Sequence, residues 1–169
     1  MTVYERKVCM IGAAGVGKTS LVRRFVEGVF SERYLTTIGG KIVRKPVRVG
    51  ETEVNMVLWD IEGETDLRTT RLRYLRGAAA YLLVADGTRR PTLDVARRLQ
   101  HTVADRMPGL PFVLLLNKQD CAAQWTLDPA EITMLASTGW TIIRTSAATG
   151  TGVEDAFGHI AARVLPGLV

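Results

Sequence analysis

No stretch of this sequence stays apolar for anything near the ~20 residues that a membrane-spanning helix requires. Its longest apolar runs, "YLLVA" and "FVLLL", read as buried strands. The opening "MTVYERKVCM" lacks the apolar core of a signal peptide. No glycine follows Met1 and no cysteine stands in the closing "LPGLV", so no lipid anchor is expected. Cysteine is scarce: Cys9 sits inside an apolar run as a small core residue, and Cys121 stands alone. Two such residues make no disulfide framework, and a reducing cytoplasm is the simplest setting. Internal repeats, low-complexity tracts and linkers are absent too, and a single domain over residues 1–169 is expected.

What is present is a chain of 169 residues, 47% apolar, with a net charge of +5. That is enough to bury a core and excludes a disordered chain. The positive surplus suits solubility as well as it suits an acidic partner. Nucleic acid has no support beyond charge, because neither interleaved aromatics nor a known motif accompanies it.

Strand-like and helix-like segments alternate. "KVCMIGA" reads as a strand, followed by a helix from about Lys18 to Glu27. "KIVRKPVRV" and "VNMVLWD" read as two strands joined by "GET"; Pro46 marks the first as an edge strand, since it cannot donate to a ladder. A short helix is expected over about Leu67 to Leu75, then strands "YLLVAD", "PFVLLLN" and "WTIIRTS". Helices "TLDVARRLQHTVADR", "DPAEITMLAS" and "GVEDAFGHIAARVL" complete the alternation, the second with an Asp cap and a proline in its first turn. This pattern predicts an α/β fold with a mostly parallel sheet. Ligands in such folds sit at the carboxyl ends of the strands.

The residues there are informative. Gly12-Ala-Ala14-Gly15-Val16-Gly17-Lys18-Thr19, with Ser20 behind it, matches G-x-x-x-x-G-K-[ST] at every fixed position. Gly15 and Gly17 let the backbone curl so that successive N–H groups point inward at phosphate oxygens. The helix start adds its positive dipole end. Lys18 supplies a point charge for the outer phosphates, and the Thr19 hydroxyl can ligate magnesium. The loop does not choose the base, but "NKQD" can. Asp120 can accept two hydrogen bonds from guanine, Asn117 can brace the neighbouring loop, and the Lys118 stem can lie along the base. Ser146 and the Ala147 N–H in "TSA" can meet the base carbonyl.

Taken in order, "GAAGVGKT", "YLTTIGG", "WDIEGE", "YLRGAAAYLLVADGT", "NKQD" and "TSA" resemble the small GTPases of the Ras and Rab type over essentially the whole chain. "WDIEG" is closer to some prokaryotic Ras-like members. The resemblance implies a P-loop fold: a six-stranded sheet with one antiparallel edge strand, flanked by five helices. It implies GTP/GDP as ligand, Mg²⁺ as cofactor, and slow GTP hydrolysis coupled to two loop conformations. Phe30 would pack against guanine, Tyr34 would close over the phosphates, and Thr37 would join magnesium and the γ-phosphate alongside Thr19. Asp60 would hold magnesium through water, and the Gly63 N–H would meet the γ-phosphate. Regulators and effectors would contact residues of about 31–41 and 61–76.

Three positions depart from the family pattern. Glu64 stands where glutamine is usual; ionised, it can accept from water but not donate to the transferring phosphoryl group. Repulsion from phosphate at ~5 Å costs about 3 kcal/mol at an effective dielectric of ~20. Glu64 either faces solvent with hydrolysis merely slow, acts as a weak base or pairs with an arginine, or leaves a switch that barely turns over. A scaffold that holds GTP or GDP without turnover is the alternative, and an ATPase a more distant one. Ile61 and Glu62 replace smaller residues, and Ala14 narrows the space for an incoming arginine. Within the chain, Arg33, Arg68 and Arg71 are candidates to supply charge to the γ-phosphate. "LRTTRLRYLR" also places Arg68 with Arg71, and Arg73 with Arg76, on shared helical faces that suit an acidic partner, with Leu67, Leu72 and Leu75 packing inward.

Overall fold

Each apolar run reads out as a strand because its residues are buried on both faces, as a parallel sheet covered by helices demands. The computed structural model describes residues 2–28, 41–61 and 72–167. The strands are β1 (Val3–Gly12), β2 (Lys41–Val49), β3 (Thr52–Asp60), β4 (Ala80–Asp86), β5 (Phe112–Asn117) and β6 (Ile142–Arg144). They form one sheet in the order β2-β3-β1-β4-β5-β6, and only the β2–β3 pair is antiparallel. Among the described residues the α-helices are α1 (Lys18–Glu27), α2 (Pro91–Arg106), α3 (Pro129–Ser137) and α4 (Val153–Arg163). A fifth helical segment on the flanks is the 3-10 turn Arg73–Leu75, and a further 3-10 stretch covers Gln119–Gln124.

Central β4 is buried along its whole length, with Leu82, Leu83 and Val84 fully out of solvent. Each such side chain contributes ~2 kcal/mol of transfer free energy. α1 turns Leu21, Val22 and Phe25 to the sheet, and Phe25 stacks on Phe157 of α4 at 4.0 Å. Asp128 caps α3 by accepting from the Ala130 N–H at 2.9 Å, with Pro129 at the first helical position. Pro46 lies opposite Asn55 on β2, which is an edge strand as expected. Cys9 is fully buried, and burial pushes its thiol up to about 12.

Some boundaries differ from expectation. β1 begins at Val3, four residues early, because its start pairs with β3 from Val3↔Glu53 onward. β6 spans only three residues, because beyond Arg144 the chain turns away to form the loop holding Ser146. The expected Leu67–Leu75 helix is described only at its end, where Leu72 and Leu75 are buried as predicted. Arg73 and Arg76 do not share a helical face: Arg76 is already extended, with φ −61° and ψ 130°. Phe30, Arg33, Tyr34, Thr37, Glu62, Gly63, Glu64, Leu67, Arg68 and Arg71 lie outside the described residues.

Candidate nucleotide site

The carboxyl ends of β1, β3, β4 and β5 converge on the loop Gly12–Thr19. Two glycines there are required by space. A Cβ on Gly12 would stand 2.4 Å from the Val84 carbonyl oxygen. One on Gly17 would stand 2.3 Å from Asn117 Nδ2, and Gly17 also has φ +101°. The loop therefore lies flush against β4 and β5, and Gly17 leads directly into α1.

Lys18 is 6% exposed and donates from Nζ to the Gly12 and Ala13 carbonyls, each at 3.0 Å. Burial pulls its ammonium down to about 8, against the opposing attraction of Asp60. Thr19 Oγ1 donates to Asp60 Oδ2 at 2.5 Å. A hydroxyl and a carboxylate brought together are hard oxygen donors, the chemistry that magnesium takes. Among the described residues no cluster of three His, Cys, Asp or Glu side chains could hold a metal. Ile61 does not splay the chain at this point: its side chain is buried in the core, and its N–H donates to Met10.

The residues expected to read the base come together from the end of β5 and the loops after β5 and β6. Asn117 Nδ2 donates to the Val16 carbonyl at 2.9 Å, and Thr145 Oγ1 donates to Asn117 Oδ1 at 3.1 Å. Ser146 Oγ donates to Asp120 Oδ1 at 2.7 Å, so the hydroxyl aims the carboxylate. Burial works to raise the Asp120 pKa, but the Ser146 hydroxyl, the Cys121 thiol and nearby Lys118 hold it below the ordinary carboxylate value. It stays an acceptor, as reading a ring N–H and an amine requires. Lys118 has φ +70°, the left-handed region, alone among the described non-glycine residues. Its carbonyl accepts from Cys121 N–H and from Trp125 Nε1, both at 2.9 Å, which holds that turn.

Several supporting residues escaped sequence reasoning. Arg24 donates from Nε to the Ala147 carbonyl at 2.7 Å, and from Nη2 to the Ala148 carbonyl, pinning the loop to α1. Trp125 covers Gly87 so closely that a Cβ there would meet its ring at 2.0 Å. Fully buried Asp86 pairs with Lys118 at 2.8 Å and with Arg89 at 3.2 Å. On the open face of β1 and β3, Lys7 Nζ lies 3.8 Å from the Trp59 ring centroid and donates to the Arg76 carbonyl. Arg73 and Arg76 are exposed.

A family model described as the Ras family matches residues 7–166. The chain is 36% identical over 153 residues to the human Ras-related protein Rab-25, covering 89% of this chain and 72% of that protein. It is 35% identical over 167 residues to the rat Ras-related protein Rab-4B, covering 94% and 76% respectively. To Arabidopsis thaliana Ras-related protein RABF2b it is 33% identical over 161 residues, covering 94% and 80%.

The chain belongs to the Ras family. It is a small GTP-binding switch protein with the Ras-like P-loop fold, in a family whose members hydrolyse GTP and meet regulators and effectors. Among the described residues, no helix is long and apolar enough to cross a membrane.

Proposed function

We propose that this chain holds GTP and GDP at the site above and hydrolyses GTP slowly, with Glu64 setting the pace. One observation carries the reading. The cradle Gly12–Thr19 follows β1 and the Asp120–Ser146 pair follows β5 and β6, with only β4 between β1 and β5, and Asn117 joins Val16 at 2.9 Å. That spacing suits a single ligand with phosphates at one end and a guanine at the other.

In this reading Gly12, Ala14, Gly15, Val16 and Gly17 offer backbone to the phosphates, with Lys18, Thr19 and Ser20 at the helix start. Phosphate oxygens would replace the loop carbonyls as partners of Lys18 Nζ, and their negative charge favours its protonated form. Thr19 and Thr37, with Asp60 through water, would hold Mg²⁺. When bound, Mg²⁺ supplies neutralisation of charge across the outer phosphates. Phe30, Lys118, Asn117, Asp120, Ser146 and Ala147 surround the base, and Tyr34 closes over the phosphates. Lys18, the N–H groups of the Gly12–Thr19 loop and, separately, the Gly63 N–H stabilise charge on the transferring phosphoryl. The Glu64 region orients water poorly, because an ionised carboxylate cannot donate. Hydrolysis without a helper protein then runs on the order of 10⁻⁴ per second or below. Residues of about 31–41 and 61–76 are the surface offered to regulators and effectors. A single G domain belongs to this reading, supported by a family match spanning residues 7–166. So does a cytoplasmic setting, supported by two free cysteines.

The test is to identify the nucleotide that co-purifies with the protein and follow one turnover of GTP in magnesium buffer. Guanine nucleotide with slow phosphate release is expected. An adenine nucleotide, or no release above the protein-free background, overturns the reading.

A further inference from the structure

Asp86 closes β4 in the middle of the sheet and is completely buried. Its carboxylate takes four donors. Oδ1 accepts from the Thr88 N–H at 2.9 Å and from Thr88 Oγ1 at 2.7 Å. Oδ2 accepts from Lys118 Nζ at 2.8 Å and from Arg89 Nε at 3.2 Å. The same guanidinium continues outward: Arg89 Nη2 donates to the Ala14 carbonyl at 2.8 Å. One buried acid thus holds the base loop directly and the phosphate loop through an arginine.

We propose that Asp86 and Arg89 are positioning residues that hold the phosphate loop in its nucleotide-gripping shape; this rests on the reading above. The peptide bond is planar and trans, so a carbonyl and the N–H of the next residue point in opposite directions. Pinning the Ala14 carbonyl outward on Arg89 aims the Gly15 N–H inward. Asn117 does the same for the Val16 carbonyl, which aims the Gly17 N–H. Two of the cradle's donors are therefore set from outside the loop, by residues from two different strand ends. Ala14 is exposed and Gly15 is half-buried, so packing alone does not fix that peptide.

Arginine is needed for the geometry. Its rigid fork presents Nε to Asp86 and Nη2 to Ala14 at once, whereas a lysine ammonium is a point charge.

The experiment measures release of a fluorescent GDP analogue in magnesium buffer for the unaltered chain, Arg89→Ala, Arg89→Lys and Arg97→Ala. Arg97 is an exposed cation on α2, paired with Glu131 at 3.3 Å and remote from the loop in its contacts, so it controls for charge alone. Release from Arg89→Ala is expected to be about tenfold faster, as loss of a charge-assisted hydrogen bond implies. Arg89→Lys is expected to release at nearly the same fast rate, and Arg97→Ala at the unaltered rate. An unchanged rate in Arg89→Ala overturns the bridge. So does full rescue by lysine, or equal acceleration in Arg97→Ala, since either makes charge sufficient. If the unaltered chain binds no GDP, the functional reading falls and the bridge falls with it.

Discussion

Asn117 reaches across 101 residues of sequence to donate to the Val16 carbonyl at 2.9 Å. The contact leaves room for no side chain at Gly17, whose added Cβ would stand 2.3 Å from Asn117 Nδ2. Gly17→Ala therefore meets a steric clash and a left-handed backbone together. The expected cost is about 2 kcal/mol or more. Urea unfolding with GDP present checks it, and GDP affinity should drop in the same variant.

In the proposed function Asp120 accepts from the base, and Ser146 Oγ donates to its Oδ1 at 2.7 Å. Asp120→Asn replaces one acceptor oxygen by a donor. Competition between GDP and xanthosine diphosphate should shift toward xanthosine by tenfold or more. An unchanged ratio would mean that Asp120 does not read the base.

Glu64→Gln restores a side chain that can both accept from water and donate to the phosphoryl group. Single-turnover GTP hydrolysis should accelerate, by roughly tenfold if one hydrogen bond to a charged group is gained. GDP release should not change, because in the proposed function Glu64 acts only on the water and the γ-phosphoryl group, which GDP lacks. Equal hydrolysis rates would place the limit elsewhere in the site.

Acid should expose the contribution of Asp86. Burial works to raise its pKa, but hydrogen bonds from Lys118 and Thr88, with the charge of Lys118, bring it below its ordinary value of 3.8. A carboxylate with a depressed folded pKa stabilises the fold above its unfolded pKa, and that stability is lost as pH falls through the folded one. At pH 7 Asp86→Asn should cost about 2 kcal/mol, since it removes the charge-assisted hydrogen bonds of Lys118 and Arg89, whose side chains are 38% and 48% exposed and can turn to water. The gap between the two proteins, followed by denaturant titration, should hold down to about pH 4 and narrow below it. A gap that is constant from pH 7 to pH 2 would remove ionisation from the account.

The fold was legible because its signals are local. Runs such as "YLLVAD" and the spacing of Leu21, Val22 and Phe25 need no distant partner to be read. The phosphate loop and "NKQD" were legible because their chemistry fixes residue types at fixed intervals. Asp86, Arg89 and Arg24 were not, because their partners are remote: Arg24 meets Ala147 across 123 residues. An aspartate ending a strand, or an arginine in a helix, has no local mark to separate it from a solvated one. The basic segment misled in part. A spacing of three implied one helical face for Arg73 and Arg76, but the helical turn ends at Leu75. Gly77 follows with φ +74°, so the chain turns toward β4 instead of continuing.

Both rims of the sheet are blunt. On one, Pro46 interrupts the amide donors that an added strand would need; on the other, β6 offers only Ile142 to Arg144. Backbone ladders therefore cannot readily propagate from molecule to molecule, which protects crowded solutions against fibrous growth. A strand added along β2 would meet a gap in the ladder at Pro46, so side chains flanking that gap must carry part of any contact made there.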